Sequence, residues 1–239
     1  MKIVELGVEL RVAAAKVSRY ATLESGDTLE MIERPRGGVS FVLVDGQTSG
    51  RGAKTISNVV ARKVVSLLGE GVRDGAAARA AHDYLYTQYQ GKVRADLTIL
   101  SLDMTTQTVV LSRNTHCPAV VRQEGEWSLI EGAAQPVGLQ TFTKPTIAEF
   151  LFQAGTYVII STDGLWSAGQ PRQKWNVLSA IRDIHRENSE PEAIAESLLQ
   201  QARDLDAGRP ADDIAVLVLG VLPHADGGGV RRLTVRVPI

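Results

Sequence analysis

The sequence predicts an α+β fold, a four-layer αββα sandwich in which two antiparallel β-sheets pack face to face and each carries a helix pair outside. Three observations predict it. Helical apolar spacing comes in two blocks of two consecutive helices, which excludes a repeating βαβ pattern. The remaining apolar segments are short and joined by tight turns, as antiparallel sheets require. The order strands, two helices, many strands, two helices, strand lets every apolar face find a partner if the sheets stack between the helix pairs.

Residues 4–17 alternate loosely and read as one long strand. Residues 28–33 and 39–44 flank Pro35-Arg36-Gly37-Gly38, the turn chemistry of an antiparallel hairpin. Over 52–68, Ile56, Val59, Val60, Val64 and Leu67 fall on one helical stripe. Asp74 is the expected N-cap of a second helix over 75–90, with Gly91 as its stop. Three strand pairs follow, 97–103 with 108–113, 119–122 with 127–130, and 147–152 with 157–162, each read as a hairpin across a short turn. Two helices come next, 174–187 and a segment from Pro191 to about residue 208, with proline suited to the first turn. Residues 214–222 are continuously apolar, as a buried strand would be. Beyond them, Asp226-Gly227-Gly228-Gly229 reads as a spacer and 230–237 as an added strand. The expected division is a domain over 1–222 and an extension over 223–239.

Composition narrows the function classes. The 239 residues carry a formal net charge of −1, so no global basic surface calls for nucleic acid. Glu5 and Glu9 interrupt the first apolar stretch, unlike a signal peptide, and no apolar run approaches the ~20 residues that span a bilayer. The lone Cys117 cannot form an internal disulfide and suits a reducing compartment. The expectation is a soluble, cytoplasmic protein without nucleic-acid or membrane partners; the sequence carries no sign of its oligomeric state.

The chemistry-bearing pattern is acidic. Asp45-Gly46 and Asp163-Gly164 each follow an apolar strand, Asp212-Asp213 precede the last strand, and Gly26-Asp27 precede the first hairpin strand. Singly, each is ordinary turn punctuation. If they converge, their mutual repulsion calls for cations, and an all-oxygen set suits Mg²⁺ or Mn²⁺. The stretch VDGQTSGRGAKT ends almost like a phosphate-binding loop, but Thr48 and Ala53 stand where that loop needs glycine, and Asp45 would repel a phosphate. His82, His116, His185 and His224 lack zinc-like spacing.

These residues resemble the metal-dependent type 2C protein serine/threonine phosphatases, in the bacterial branch of sporulation and stress sigma-factor regulators. The motifs, in order, are Gly26-Asp27, VDGQTSGRGA, RNTHCPAVV, QPVGLQ, GTYVIISTDGLWSA and DDIAVLVL, so the resemblance covers roughly residues 20–222. It implies two Mn²⁺ or Mg²⁺ ions that activate a bridging water for attack on a phosphoserine or phosphothreonine. It assigns Asp45 to both ions, with the Gly46 carbonyl assisting, Asp27 to one ion, and Asp163 and Asp212 to the other. Asp213 would support Asp212 or bind metal itself, and Asp96 is the candidate for a third ion or else a strand cap. Arg51 could steer phosphate or simply face solvent. The sequence departs from the branch at Thr48 in place of glycine, at Ala215 in place of threonine, and at Cys117 in place of histidine, with His116 one place early. The resemblance further implies a stand-alone catalytic domain acting on a phosphorylated regulatory protein, such as an anti-sigma-factor antagonist or a stress-signalling scaffold protein. Two rivals remain at this stage: a pseudophosphatase that binds a partner without chemistry, and a hydrolase of small phosphate esters.

Overall fold

A computed structural model describes residues 7–132, 134–224 and 229–236. Ten strands form two five-stranded sheets. The first has the order β1 (Gly7–Val17), β10 (Ile214–His224), β9 (Tyr157–Ser161), β6 (Ala119–Gln123), β7 (Glu126–Ile130). The second runs β2 (Thr28–Glu33), β3 (Val39–Gly46), β4 (Ala95–Asp103), β5 (Thr108–Asn114), β8 (Thr146–Leu151). Every pairing between these strands is antiparallel.

Strand alternation distributes the apolar residues over three buried layers. Along β3, Phe41 and Leu43 enter the layer between the sheets, while Val42 and Val44 face the helices α1 (Gly50–Gly69) and α2 (Asp74–Tyr89). Along β10, Ala215, Leu217 and Leu219 face the other sheet, while Ile214, Val216 and Val218 meet α4 (Val177–Glu187) and α5 (Pro191–Leu205). These layers realise the predicted four-layer sandwich. In α1 the buried positions Ala53, Ser57, Val60, Ala61, Val64 and Leu68 trace one helical stripe.

Four expectations change. Strands β8 and β9 are not a hairpin: β8 pairs with β5 in one sheet and β9 with β10 and β6 in the other. The linking residues 152–156 cross the ~10 Å between stacked sheets, a span within reach of five residues. Phe152 buries itself in the inter-sheet layer on the way, and the Gly155 N–H donates to the Val221 carbonyl at 2.7 Å. Asp74 is not an N-cap. Arg73 holds that position, and Asp74, the first helical residue, is buried against Arg34 at 2.6 Å. A short helix, α3 (Asp163–Ser167), stands where a turn was expected. Residues 229–236 form no strand. Val230, Leu233 and Val235 face solvent, and Arg231 and Arg236 pair with Glu33 and Glu192. Alternation alone makes no strand unless the backbone also pairs with a neighbouring ladder. The spacer expected over 226–229 lies largely outside the described residues, as do residues 4–6 of the first strand.

Antiparallel pairing also decides where functional residues meet. The starts of β2, β4 and β10 and the ends of β3, β5 and β9 all lie at one end of the sandwich.

Leu217 is 1% exposed in the inter-sheet layer and Leu233 is 77% exposed. Leu217→Ala is expected to lower unfolding free energy by about 3 kcal/mol. Leu233→Ala should stay within about 0.5 kcal/mol of the parent. Urea titration of the two variants checks both.

Candidate metal centre

The acidic residues gather at this end. Asp45 closes β3 directly opposite Asp96 at the start of β4. Asp163 begins α3 just past β9. Asp45, Asp96 and Asp163 line one small cavity, of about 10 Å³, together with Thr115, Cys117 and Thr162. Asp27 is fully buried just before β2. Thr162 ties it to the opposite sheet: the Thr162 hydroxyl donates to Asp27 Oδ2 at 3.0 Å and accepts the Ala215 N–H at 2.9 Å. Among the described residues Asp27 Oδ1 is buried without a hydrogen-bond partner. Asp212, half-buried before β10, adds its charge to Asp45 and feels that of Asp163 but does not line the cavity. Asp213 has a different task. Its Oδ1 accepts the Arg19 N–H at 2.8 Å and its Oδ2 the Gly26 N–H at 2.9 Å, so both oxygens clamp the segment that carries Asp27. Arg51, exposed on the first turn of α1, lines no part of the cavity.

The glycines beside these acids serve chain packing. A Cβ on Gly26 would lie 2.6 Å from the Ala53 Cβ; one on Gly46 would collide with the Ala53 carbonyl, and one on Gly164 with the Asp213 carbonyl. Thr48, by contrast, adopts φ +74°. A β-branched residue in this left-handed region costs about 1–2 kcal/mol, a conformation that glycine adopts freely. Ala215 places its side chain in the inter-sheet layer and reaches the site only through its N–H.

Sequence reasoning missed four supporting residues. Besides Thr162, the Thr115 hydroxyl donates to Asp96 Oδ2 at 2.5 Å and accepts the Cys117 N–H at 3.0 Å. Lys16 and Lys54 donate to the Asp27 backbone carbonyl at 3.2 and 2.6 Å. Only Thr162 carried a signal, its place directly before Asp163-Gly164. The others depend on cross-strand and loop contacts that no local pattern encodes.

The electrostatics are those of an unneutralised anionic cluster. Burial, and then the charges of Asp27, Asp163, Asp96 and Asp212, push the Asp45 carboxyl up to about 10. Burial, only partly offset by the Thr162 hydroxyl, pushes Asp27 up to about 7. Asp163 is raised by desolvation of its cavity-facing carboxyl and by Asp96. Asp96 is raised by burial and eased by Thr115, Arg94 and His116.

The donor set fits hard divalent cations. It is made of carboxylates, it holds an orphaned buried oxygen on Asp27, and Lys16 and Lys54 bind the Asp27 carbonyl instead of its carboxylate. Among the described residues no three such side chains form a ready cage around one point. Sparse protein ligation suits Mg²⁺ and Mn²⁺, because Mg²⁺ keeps several of its waters.

The chain matches the sequence model of the stage II sporulation protein E (SpoIIE) family over residues 35–222. It is 19% identical over 209 residues to stage II sporulation protein E of Bacillus subtilis (strain 168), covering 87% of this chain and 25% of that protein. The chain thus spans about a quarter of the curated relative it matches. The solved PP2C phosphatase domain of B. subtilis SpoIIE, with a fragment of its regulatory domain, superposes with a TM-score of 0.77 at 17% identity, covering 91% of this chain and 64% of that one. The catalytic domain of the serine/threonine protein phosphatase PstP in complex with two manganese ions gives 0.69 at 17% identity, over 90% and 100% of the chains. RsbX in complex with magnesium gives 0.67 at 14% identity, over 90% and 99%. At these identities the structural likeness establishes the fold.

A carboxyl raised above its ordinary value of 3.8 binds more protons folded than unfolded, so its contribution to stability declines as pH rises. For Asp27 the loss runs from about pH 4 to 7, and for Asp45 from about pH 4 to 10. The chelator-treated protein should therefore melt at progressively lower temperature between pH 5 and 9. Asp45→Asn should flatten that decline and raise the melting temperature at pH 8 by about 2–4 °C per kcal/mol relieved. Calorimetric melts across this pH range check both expectations, and a flat profile for the parent would contradict them.

Proposed function

The chain belongs to the stage II sporulation protein E family, and on that premise we propose that it is a metal-dependent serine/threonine protein phosphatase. The observation that carries this reading is the convergence of carboxylates from both sheets on one cavity, where among the described residues no basic side chain forms an ion pair with any of them. In this reading Asp45 and Asp163 are the central ligands, Asp27 and Asp212 complete the set, and the Gly46 carbonyl assists Asp45. Asp96 faces Asp45 across the ladder and would hold a third, weaker ion. Asp213 keeps a scaffolding role, because both of its oxygens are already committed to backbone N–H groups.

When bound, two Mn²⁺ or Mg²⁺ ions would supply a deprotonated water as nucleophile and offset charge on the phosphoryl oxygens. The chain's own residues do the rest. Thr162 bonds Asp27 in one sheet to Ala215 in the other, which holds the two sheets' contributions in register. Thr115 orients Asp96. Cys117 is no candidate for a nucleophile, since burial pushes its thiol up to about 12. The proposed substrate is a phosphoserine or phosphothreonine on a regulatory protein, of the kind served by sigma-factor regulators, in the cytoplasm. Among the described residues no helix is long and apolar enough to cross a membrane.

Hydrolysis of a chromogenic aryl phosphate, measured with Mn²⁺, with Mg²⁺ and with chelator, tests the reading. Turnover is expected only with metal, and Asp45→Asn and Asp163→Asn should each reduce it by at least about 100-fold. Tight metal binding without turnover on aryl phosphate or phosphoprotein would favour a partner-binding module instead.

A further inference from the structure

The metal cavity adjoins a groove of about 280 Å³, with Asp96, Cys117 and Asp163 shared between the two. The other walls of the groove have a different character. Pro118, Pro136 and Trp166 present apolar and aromatic surface, and Arg94 and His116 stand among them. Both are exposed, and neither side chain makes a hydrogen bond or ion pair among the described residues. The Arg94 backbone, in contrast, is held on both sides. Its N–H donates to Gln47 Oε1 at 3.1 Å, its carbonyl accepts the Gln47 N–H at 3.2 Å, and the next residue pairs with Val137. A free guanidinium thus sits on a fixed mount, two residues from Asp96 and directly beside the loop that follows Asp45.

In the metal-free chain this guanidinium is attracted to Asp96 and Asp163. Cations held by those carboxylates would cancel the attraction and leave Arg94 facing a net positive site. Its favoured partner then becomes an anion that the cations also attract. A phosphoryl group has that charge, and its oxygens match the guanidinium fork. The apolar side chains beyond offer a bare phosphate no partner and suit the peptide on either side of a phosphorylated residue.

On the phosphatase reading above, we propose that Arg94 and His116 are substrate-positioning residues, with Arg94 gripping the phosphoryl oxygens of a phosphoserine or phosphothreonine. Trp166, Pro118 and Pro136 seat the flanking peptide. The groove then separates a phosphoprotein from a small phosphate ester, because only the former fills both halves.

The test is direct binding to the Mg²⁺-loaded protein of a peptide carrying the non-hydrolysable phosphonate isostere of phosphoserine. Titration calorimetry is combined with the NMR resonance of the Trp166 indole N–H, which donates to Ser161 Oγ at 3.0 Å. Arg94→Met should weaken binding on the order of 10- to 100-fold, with Arg94→Lys between it and the parent. Melting temperature should be unchanged in both, Mg²⁺ should bind Arg94→Met no more weakly than the parent, and the Trp166 resonance should shift in the parent. Equal affinity in Arg94→Met, no binding by the parent, or binding that leaves Trp166 unmoved would each overturn the proposal. Arg94-dependent binding without hydrolysis of a phosphoserine peptide would support the groove and count against the phosphatase reading. Hydrolysis of that peptide with the same KM in Arg94→Met and the parent would do the reverse.

Discussion

Like charges directly opposite one another in a β-ladder repel, yet Asp45 and Asp96 face each other across β3 and β4 at the point where that ladder ends. Everything else at this end of the molecule bears on that unfavourable pairing. The register is not free to slip, because Phe41 and Leu43 must stay between the sheets while Val42 and Val44 stay under the helices. Core packing therefore holds two carboxylates where electrostatics alone would separate them. Asp163, Asp27 and Asp212 add to the same potential from the other strand ends. A protein selected for stability alone would not keep this arrangement, and strain of this kind is characteristic of functional sites.

Several members of the cluster are tied to the scaffold. Asp213 spends both oxygens on backbone N–H groups of the segment leading to Asp27. Thr162 spans the two sheets through a single hydroxyl, and Thr115 fixes Asp96. Gly46 and Gly164 let neighbouring backbone, and Gly26 the Ala53 side chain, approach more closely than a Cβ would allow. The two lysines near Asp27 bind its carbonyl, which steadies the main chain while leaving the carboxylate available. Such pre-organisation is what a metal site needs from its surroundings.

Much of this was legible in the sequence, for identifiable reasons. Alternation in β3 and β10 and helical spacing in α1 report directly which face each residue buries, so the sandwich followed from pattern and element order. The acidic positions stood out because each lies where an apolar run stops. Less legible was anything that depends on which sheet a strand joins. The link over 152–156 has ordinary hairpin chemistry, and a crossing between sheets needs no different residues. The same blindness hid Thr115 and Thr162, whose partners lie 19 and 135 residues away. It also hid the groove, since Arg94 and His116 are isolated polar residues in loops. The alternation of 230–237 misled for the opposite reason: a local pattern was present, but residues 230–236 join no ladder.

The central claim is that these carboxylates form one site for divalent cations, organised about Asp45. Equilibrium dialysis of the parent and of Asp45→Asn against Mn²⁺, with bound metal counted per chain, tests it most directly. The account predicts at least two ions on the parent, to match the two-ion reading, and loss of tight binding in the variant. Parent protein that binds no Mn²⁺, or a variant that binds as many ions as tightly as the parent, would contradict it.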